Sequence, residues 1–467
     1  MVLYIVILYY LEEFMKKFFK LDELQTTVRT EVVAGITTFL SMVYILAVNP
    51  NILQDAGLGP AGVFTATAVS AAFATLIMAF LANYPVALAS GMGLNAYFTY
   101  SVCVPMARAG IQDPWKIALT AVLVEGIIFI LLTFCKFRQA LVNDVPRNLK
   151  LGITAGIGLF IAIVGLKSAG IVVANTDTLL AFGDIKSPQV ALALTGIVIT
   201  VILYHYKVTG YILWAILLTW GMGMLAQAGG WYHVDVEAKA FSLFPDFTQG
   251  VQIAAPPIFG FDFGWVASHA LEFTVIVFSF LFVDLFDTVG TLIGVANKGG
   301  LVDEEGNLPR AGRALMSDAI GTIFGACIGT STVTSYVESS AGVAVGGRSG
   351  LTAVVTGLMF IVALPLSPVF LAIPGFATAP ALIFVGLLMV SAVKEMDFAD
   401  DAAGMIGGYL ALIMMPFTYS IANGIMFGFV AYVIVRLFQG KAKEMHWVMW
   451  ISFVLFVIRL IQLAVQG

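Results

Sequence analysis

Long apolar segments recur along the chain and are separated by short polar connections. A helix that crosses a bilayer needs about 20 predominantly apolar residues, which is close to the length of most of these segments. They fall into two groups of seven, at 27–48, 62–82, 85–106, 115–136, 148–168, 188–206 and 209–228, and at 270–297, 310–329, 331–347, 350–372, 375–393, 403–417 and 418–438. The pattern predicts an all-α polytopic membrane protein with 14 transmembrane segments.

The longest polar connection separates the two groups and predicts how the chain is organised. We expect a cytoplasmic N-terminal segment, a first repeat of segments 1–7, an extracytoplasmic connection, a second repeat of segments 8–14 and a C-terminal apolar segment, over residues 1–26, 27–228, 229–269, 270–438 and 439–467. The apolar stretch 446–465 carries Arg459 and fits either a spanning or an interfacial helix. Residues 1–11 lack a basic start and end at Glu12, so they do not indicate a signal peptide.

Composition agrees with a membrane protein, since 60% of the residues are hydrophobic and only 11% are charged. A soluble globule of this size would expose large apolar areas, which a bilayer solvates. The net charge of −5 and the lack of a long Lys/Arg run give no indication of nucleic-acid binding. The three Cys and four His are scattered, so neither disulfides nor a metal site is expected.

The basic residues predict the orientation, because cytoplasmic loops are enriched in Lys and Arg. With the N-terminus inside, 17 of the 23 basic residues fall on the cytoplasmic side. Those placed outside are Arg108, Lys116, Lys167, Lys186 and Lys239. Seven crossings per half is an odd number, so the halves enter the membrane in opposite senses. This arrangement is an inverted repeat, in which a substrate site near the midplane is expected.

The third segment of each half does not have the pattern of a continuous helix. Residues 82–98 contain Pro85, Gly91 and Gly93, and residues 329–342 contain a Ser/Thr/Val run that favours extended backbone. These small residues could simply allow close helix packing. Because the breaks occupy matching positions, we instead expect segments 3 and 10 to be part strand and part helix, with a helix N-terminus at the bilayer centre.

Six acidic residues fall within the apolar segments, namely Glu125, Glu272, Asp284, Asp287, Asp318 and Glu338, and the others lie in loops or near interfaces. An ionisable group in hydrocarbon is costly and is usually functional. Asp284 and Asp287 are spaced i, i+3, which predicts one helix face, and their segment has no Lys or Arg to pair with them. Two such groups suit a proton carrier. Alternatively, one holds the backbone amides of the broken segment while the other is solvated.

The broken segments add candidate ligands for a polar substrate. Glu338 can accept from a substrate N–H or reach Asp284; alternatively, it caps the helix that follows. Asn95 offers both a donor and an acceptor, although interhelical bonding is the commoner role of such a residue. We expect Asp318 to link the ninth segment either to the acidic pair or to the backbone of a broken segment, as support rather than as a substrate contact. Glu125 has no partner by pattern, and Glu272 lies near a segment end.

Several motifs together resemble the AzgA-like purine permeases, a branch of the nucleobase:cation symporter-2 group. The resemblance covers nearly the whole chain from about Phe18. The motifs are 18–21 (FFKL), 27–31 (TVRTE), 34–39 (AGITTF), Asn49-Pro50, 91–96 (GMGLNA), 282–288 (FVDLFDT), Asn297, Arg310-Ala311, Asp318, Glu338-Ser339, Gly342 and 347–352 (GRSGLT). Uracil-type members have a His one turn after the eighth-segment acid, where this chain has Thr288, so the purine branch fits better.

This resemblance implies a core domain of segments 1–4 and 8–11 and a gate domain of segments 5–7 and 12–14, with a homodimer formed through the gate. It implies proton-coupled uptake of adenine, guanine or hypoxanthine across the cell (inner) membrane, with the proton as coupling ion and no other cofactor. The expected binding residues are Asp284, Glu338, Asn95, Asp287 and Ser339. The expected proton-coupling residues are Glu338, Asp284 and Asp318.

The substrate groups agree with this assignment, because purine N–H groups can donate to carboxylates and the flat ring can stack on an aromatic side chain. The stacking candidates are Phe39, Tyr336, Phe282 and Phe286. Alternatives are a carrier of another heterocycle, a channel or an intramembrane aspartyl enzyme. A channel would need a continuous polar pore, and an aspartyl enzyme would take its two carboxylates from different helices, whereas Asp284 and Asp287 share one.

Overall fold

The computed structural model describes residues 13–134, 145–233, 243–247, 250–251, 253–302 and 308–466, and most of them are helical. In the first half the helices are α1 (Val28–Met42), α2 (Ile45–Leu53), α3 (Pro60–Ile77), α4 (Met92–Ala96), α5 (Val104–Arg108), α6 (Pro114–Phe134), α7 (Arg147–Ser168), α8 (Pro188–His205) and α9 (Tyr211–Ala228). In the second half they are α10 (Phe263–Ser268), α11 (Ala270–Gly299), α12 (Ala311–Cys327), α13 (Ser339–Ala344), α14 (Gly350–Val362), α15 (Ser367–Leu371), α16 (Gly375–Val390), α17 (Ala402–Thr418), α18 (Ile421–Phe438) and α19 (Trp447–Gln466).

Nine spans among the described residues are long and apolar enough to cross a membrane, or ten if the bent pair α14 and α15 is one span. The prediction of a polytopic helical membrane protein is therefore confirmed. The arrangement of 14 crossings as two inverted repeats stays a prediction. The C-terminal apolar segment is one continuous helix, α19.

Short strands interrupt the third and tenth segments, as predicted from the sequence. Strand β1 (Leu88–Ser90) precedes α4, and β4 (Val333–Ser335) precedes α13. They pair antiparallel with Ala89 opposite Thr334, so the two halves of the chain meet backbone to backbone. All six residues are buried inside protein, which satisfies their polar groups away from lipid. A second pair, β2 (Val172–Asn175) with β3 (Leu179–Phe182), forms a hairpin that was not expected from the sequence.

Helix packing separates the chain into two groups. One contains the close pairs α1–α14, α3–α14, α6–α12 and α3–α12, and the other contains α7–α16, α7–α17, α17–α18 and α8–α9. In the second group glycines bring backbones together, because a Cβ on Gly158 of α7 would overlap the Gly386 carbonyl oxygen of α16. Such small-residue contacts are typical of membrane helices.

Candidate functional site

A cavity lies where the broken segments face the second helix group. Its lining comes from the start of α4, from α11, from the β4–α13 junction, and from apolar side chains of α7 and α16. The lining residues are Gly91, Met92, Gly93, Ile157, Ile161, Val283, Asp287, Thr291, Ser335, Tyr336, Val337, Glu338, Val385 and Met389. The cavity therefore combines two carboxyl groups and a phenol ring with an otherwise mostly apolar wall.

Backbone hydrogen bonds hold the two strand-to-helix junctions against each other. Gly91 N donates to Thr332 O over 3.0 Å, and Tyr336 N donates to Ala87 O over 2.9 Å. The Ser339 hydroxyl accepts from Ala87 N at 3.0 Å and is fully buried. Ser339, a predicted binding residue, thus supports the strand pair from behind the cavity wall.

Glu338 lies at the edge of the cavity with its carboxylate held by a residue from another element. Oε1 of Glu338 accepts from the Tyr44 hydroxyl at 2.5 Å. Glu338 occupies the position before α13 but makes no side-chain capping bond to it. The alternative reading of Glu338 as a helix cap is therefore wrong, and the side chain is directed toward Tyr44 at the break between α1 and α2.

The two eighth-segment acids have different surroundings. Asp287 lines the cavity and is partly exposed there, whereas Asp284 is fully buried. Residues three apart on a helix differ by about 60° in direction, which is enough to place them in different environments. Although we expected both carboxylates on one helix face, only Asp287 lines the cavity.

Asp284 belongs to a buried polar network behind the strand pair. The Thr288 hydroxyl lies 3.2 Å from Asp284 Oδ1, 3.0 Å from Asp318 Oδ2 and 2.7 Å from the Thr334 hydroxyl. Asp318 Oδ1 also accepts from the Ser335 backbone N–H at 3.0 Å. These contacts give Asp318 the supporting position that the sequence suggested, bonded to the backbone of β4.

Glu125 also joins this network, although the sequence pattern offered it no partner. Its Oε2 accepts from the Thr332 hydroxyl at 3.0 Å, and its carboxyl lies within hydrogen-bonding reach of that of Asp284. Glu125 is fully buried. The expectation that it lacks a partner is wrong, because Thr332 reaches it from the tenth segment, which is distant in sequence.

Asn95 is buried at the start of the half-helix rather than in the cavity wall. Its Oδ1 accepts from the Ser331 hydroxyl, and its Nδ2 lies 3.5 Å from Ser90 O. It therefore links the third and tenth segments. This contact is of the interhelical type, which the sequence offered as the alternative to substrate binding for Asn95.

Among the four stacking candidates, Tyr336 lines the cavity. Its hydroxyl donates to Ser90 O at 2.5 Å, which fixes the ring. Phe39 packs edge-on against Phe360, and Phe282 packs edge-on against Phe429. The side chain of Phe286 lies outside the described residues.

A second cavity reaches Glu338 from another direction. It is lined by α1, α8, α11 and α13 residues and by the connection before α9, and includes Lys207 and Lys298, both expected on the cytoplasmic side. Val337 and Glu338 line both cavities. The junction before α13 is therefore the wall that the two cavities share.

The sequence did not reveal two buried residues. Glu31, which the pattern left among the peripheral acids, is fully buried, and its carboxylate accepts from the Ser349 and Thr352 hydroxyls at 2.8 and 2.7 Å. It also accepts from backbone N–H groups at the start of α14. Tyr44 was missed because nothing in its local pattern distinguishes it from other apolar-segment tyrosines.

In the part of the chain that is described, no group of three or more His, Cys, Asp or Glu side chains is arranged to hold a metal.

The fold and site are those of a membrane transporter in which two broken segments meet at a central cavity. Residues 29–427 match the family described as "Permease family", and the chain belongs to this family. It is 43% identical to the guanine/hypoxanthine permease PbuG of Bacillus subtilis, covering 95% of this chain and 99% of that one. It is 40% identical to the adenine permease AdeP of Escherichia coli, covering 96% of each chain. The predicted family resemblance and the prediction that the chain is not an enzyme are confirmed.

Solved transporters share the fold at low sequence identity. The transmembrane domain of the cyanobacterial bicarbonate transporter BicA superposes with a TM-score of 0.65 at 14% identity, over 85% of this chain and 96% of that one. The structure of SLC26A9 superposes with a TM-score of 0.66 at 13% identity, over 92% of this chain and 69% of that one. At such identities the likeness concerns the fold alone.

Proposed function

We propose that this permease takes up purine bases across the cell membrane together with protons, by alternating access of a core domain against a gate domain. The cavity between the broken segments and helices α7 and α16 is the observation that supports this best. It lies between the two helix packing groups, where a relative movement changes which side has access. In the proposed arrangement the N-terminus lies in the cytoplasm, and two chains form a homodimer through their gate domains.

The proposed substrate class rests on the cavity chemistry and on the purine permeases among the relatives. A purine presents ring N–H groups that Glu338 and Asp287 can accept and a flat face that the Tyr336 ring can cover. Asn95, Asp284 and Ser339 then act on the bound base indirectly, through the strand pair. The base preferred among adenine, guanine and hypoxanthine is set by the few polar groups around this cavity.

In the proposed topology, the second cavity supports access to Glu338 from the cytoplasmic side. The second cavity extends from Glu338 to Lys207 and Lys298, which are expected in the cytoplasm. We therefore take the structure as inward-facing. Opening of the opposite side needs movement of α7 and α16 relative to β4 and α13.

Uptake of labelled hypoxanthine, guanine and adenine in cells lacking their own purine carriers tests this function. We expect accumulation that competes with unlabelled purines and is lost with an uncoupler. Glu338→Gln is expected to abolish accumulation, since the carboxylate at the shared wall is removed. Glu272→Gln, which neutralises an acid near a segment end, serves as the matched control and should accumulate normally. Wild-type rates in Glu338→Gln cells, or accumulation that survives the uncoupler, would contradict the proposal.

A further inference from the structure

We propose that Glu125 is a proton-coupling residue, and that it holds the transported proton jointly with Asp284 behind the strand pair, apart from the substrate cavity. This inference rests on the proposed function, because it assigns the place where the coupling proton is carried. Glu125 lies in α6, outside the broken segments and outside the cavity lining. It acts on the substrate only through Thr332 and the strand β4 that follows it, so it is a positioning residue rather than a binding residue.

Glu125 is fully buried, and its carboxylate is incompletely hydrogen-bonded. Its Oε2 accepts a hydrogen bond from the Thr332 hydroxyl at 3.0 Å. No N–H or O–H group of the described residues donates to its Oε1. The carboxyl of Asp284, on the neighbouring helix α11, lies next to that of Glu125. A buried acceptor left without a donor is costly, and a proton placed between the two acids removes that cost.

The hydroxyl of Thr288 lies between two carboxyl groups of the network. Thr288 lies within bonding distance of Asp284, Asp318 and the Thr334 hydroxyl, but its hydroxyl carries a single proton. It can donate to one of the two carboxylates at a time. Two adjacent buried carboxyl groups repel each other when both are ionised, which makes the doubly ionised state costly. A proton shared by Glu125 and Asp284 removes this repulsion, and it belongs to the acid pair rather than to one residue.

The charged and titratable groups around Glu125 agree with this reading. They are Asp284 on α11, Asp318 on α12 and Tyr97 at the end of the third-segment half-helix. Tyr97 is in turn near Arg459 of α19. Every carboxyl in this set adds negative charge, and the hydroxyls of Thr332, Thr288 and Thr334 are neutral donors. Proton binding is therefore the change that lowers the negative charge of the cluster.

The tenth segment connects the acid pair to the substrate cavity. Thr332 and Thr334 lie two residues apart in extended chain, so they present their hydroxyls to the same side. One bonds Glu125 and the other bonds Thr288. Two residues further along the same segment, Tyr336 enters the cavity wall, followed by Glu338. A proton gained or lost at the acid pair thus changes the bonding of the strand that carries the substrate groups.

The step is a reversible protonation with no other chemistry. In the outward-facing state a proton from water forms an O–H bond on the Glu125–Asp284 pair, which then carries one negative charge. After the purine has left on the cytoplasmic side, that bond breaks and the proton passes to water there, so both carboxylates are ionised until the next proton binds. The Gln in Glu125→Gln leaves the pair with the same single negative charge as the protonated state.

Purified protein in proteoliposomes separates the assignment from the proposed function. Wild type should accumulate labelled purine under an inward proton gradient, and its Kd for purine should rise with pH, because proton binding favours substrate binding. If wild type shows neither, the proposed function fails. Glu125→Gln should lose gradient-driven accumulation yet keep purine counterflow, which needs no proton movement. Its Kd should stay at the low-pH value across the range.

Two further variants, Glu272→Gln and Thr332→Val, test the proposed role of Glu125. Glu272→Gln should match wild type in all three measurements. Glu125→Gln that still accumulates purine with wild-type pH dependence overturns the assignment, and so does equal loss of counterflow and accumulation in well-folded protein. If Glu125→Gln does not fold, Thr332→Val removes the hydroxyl donor while the acid remains. It should displace the pH dependence of purine Kd, and an unchanged dependence overturns the proposal.

Discussion

The Tyr44 hydroxyl donates to Oε1 of Glu338 over 2.5 Å, and this bond joins the break between α1 and α2 to the start of α13. The first and tenth segments thus fix together the carboxylate that both cavities share. A hydrogen bond to a charged group is typically stronger than one between neutral groups.

Tyr44→Phe tests this bond with little change in shape. Because the phenylalanine cannot donate to Glu338, we expect the purine KM to rise about tenfold or more, as for loss of a bond to a charged group. Concentrative uptake should persist, since the carboxylate remains. Tyr232→Phe, which removes a hydroxyl beside Gln189 away from the site, is the control. Unchanged KM in Tyr44→Phe would show that Glu338 is positioned without this bond.

Glu31→Gln tests the buried cap of α14. The Glu31 carboxylate accepts from five donors on Arg348, Ser349 and Thr352, and an amide can match only part of this set. We expect a stability loss of about 1–2 kcal/mol, comparable to loss of a helix cap, seen as a lower Tm in detergent. The exposed Glu23→Gln should leave Tm unchanged. Purine KM should be the same in both variants, and a Glu31→Gln protein as stable as wild type would contradict the cap.

Gly158→Ala tests the close contact of α7 with α16. Alanine favours a helix over glycine by about 1 kcal/mol, but its Cβ would overlap the Gly386 carbonyl oxygen. We therefore expect lower Tm and slower uptake. Gly221→Ala on α9 places its Cβ in open space and should be neutral or stabilising. Equal Tm gains in both variants would mean that α7 and α16 are less closely packed than the structure has them.

Cysteine labelling tests the inward-facing assignment. In a background with Cys103, Cys135 and Cys327 replaced by Ser, Ala344→Cys lies in the second cavity and Ala109→Cys lies in a cavity on the side expected to be extracytoplasmic. A membrane-impermeant maleimide should label Ala344→Cys in inside-out vesicles and Ala109→Cys in right-side-out vesicles. Saturating purine should slow the labelling of Ala344→Cys. The reverse sidedness would invert the proposed topology.

The sequence predicted the local structure better than the contacts that depend on tertiary packing. The breaks at Pro85, Gly91 and the Ser/Thr/Val run were visible because backbone preference is a local property. The partners of Glu125 and Glu338 were not, since Thr332 and Tyr44 approach from segments far away in sequence. Glu31 was overlooked because hydropathy assigns residues at a segment end to the interface, whereas the burial of Glu31 follows from the α14 backbone that it caps.

The different environments of Asp284 and Asp287 could not be predicted from the sequence either. Helical spacing gives the angle between two side chains but not which neighbours occupy each direction. The strand pair β1–β4 and helix α6 define those neighbours here, and the cavity lies on the Asp287 side. Separate roles for the two acids therefore need the tertiary structure.

The pairing of β1 with β4 has a consequence for how the protein is made. Residues 88–90 are synthesised long before residues 333–335, and until then their backbone groups have no strand partner in the membrane. The third segment therefore reaches its final form only after the tenth has been inserted. Completion of the proposed substrate site is therefore a late event in biogenesis. A truncated chain that ends before β4 is expected to be a substrate for membrane quality control rather than a partly active protein.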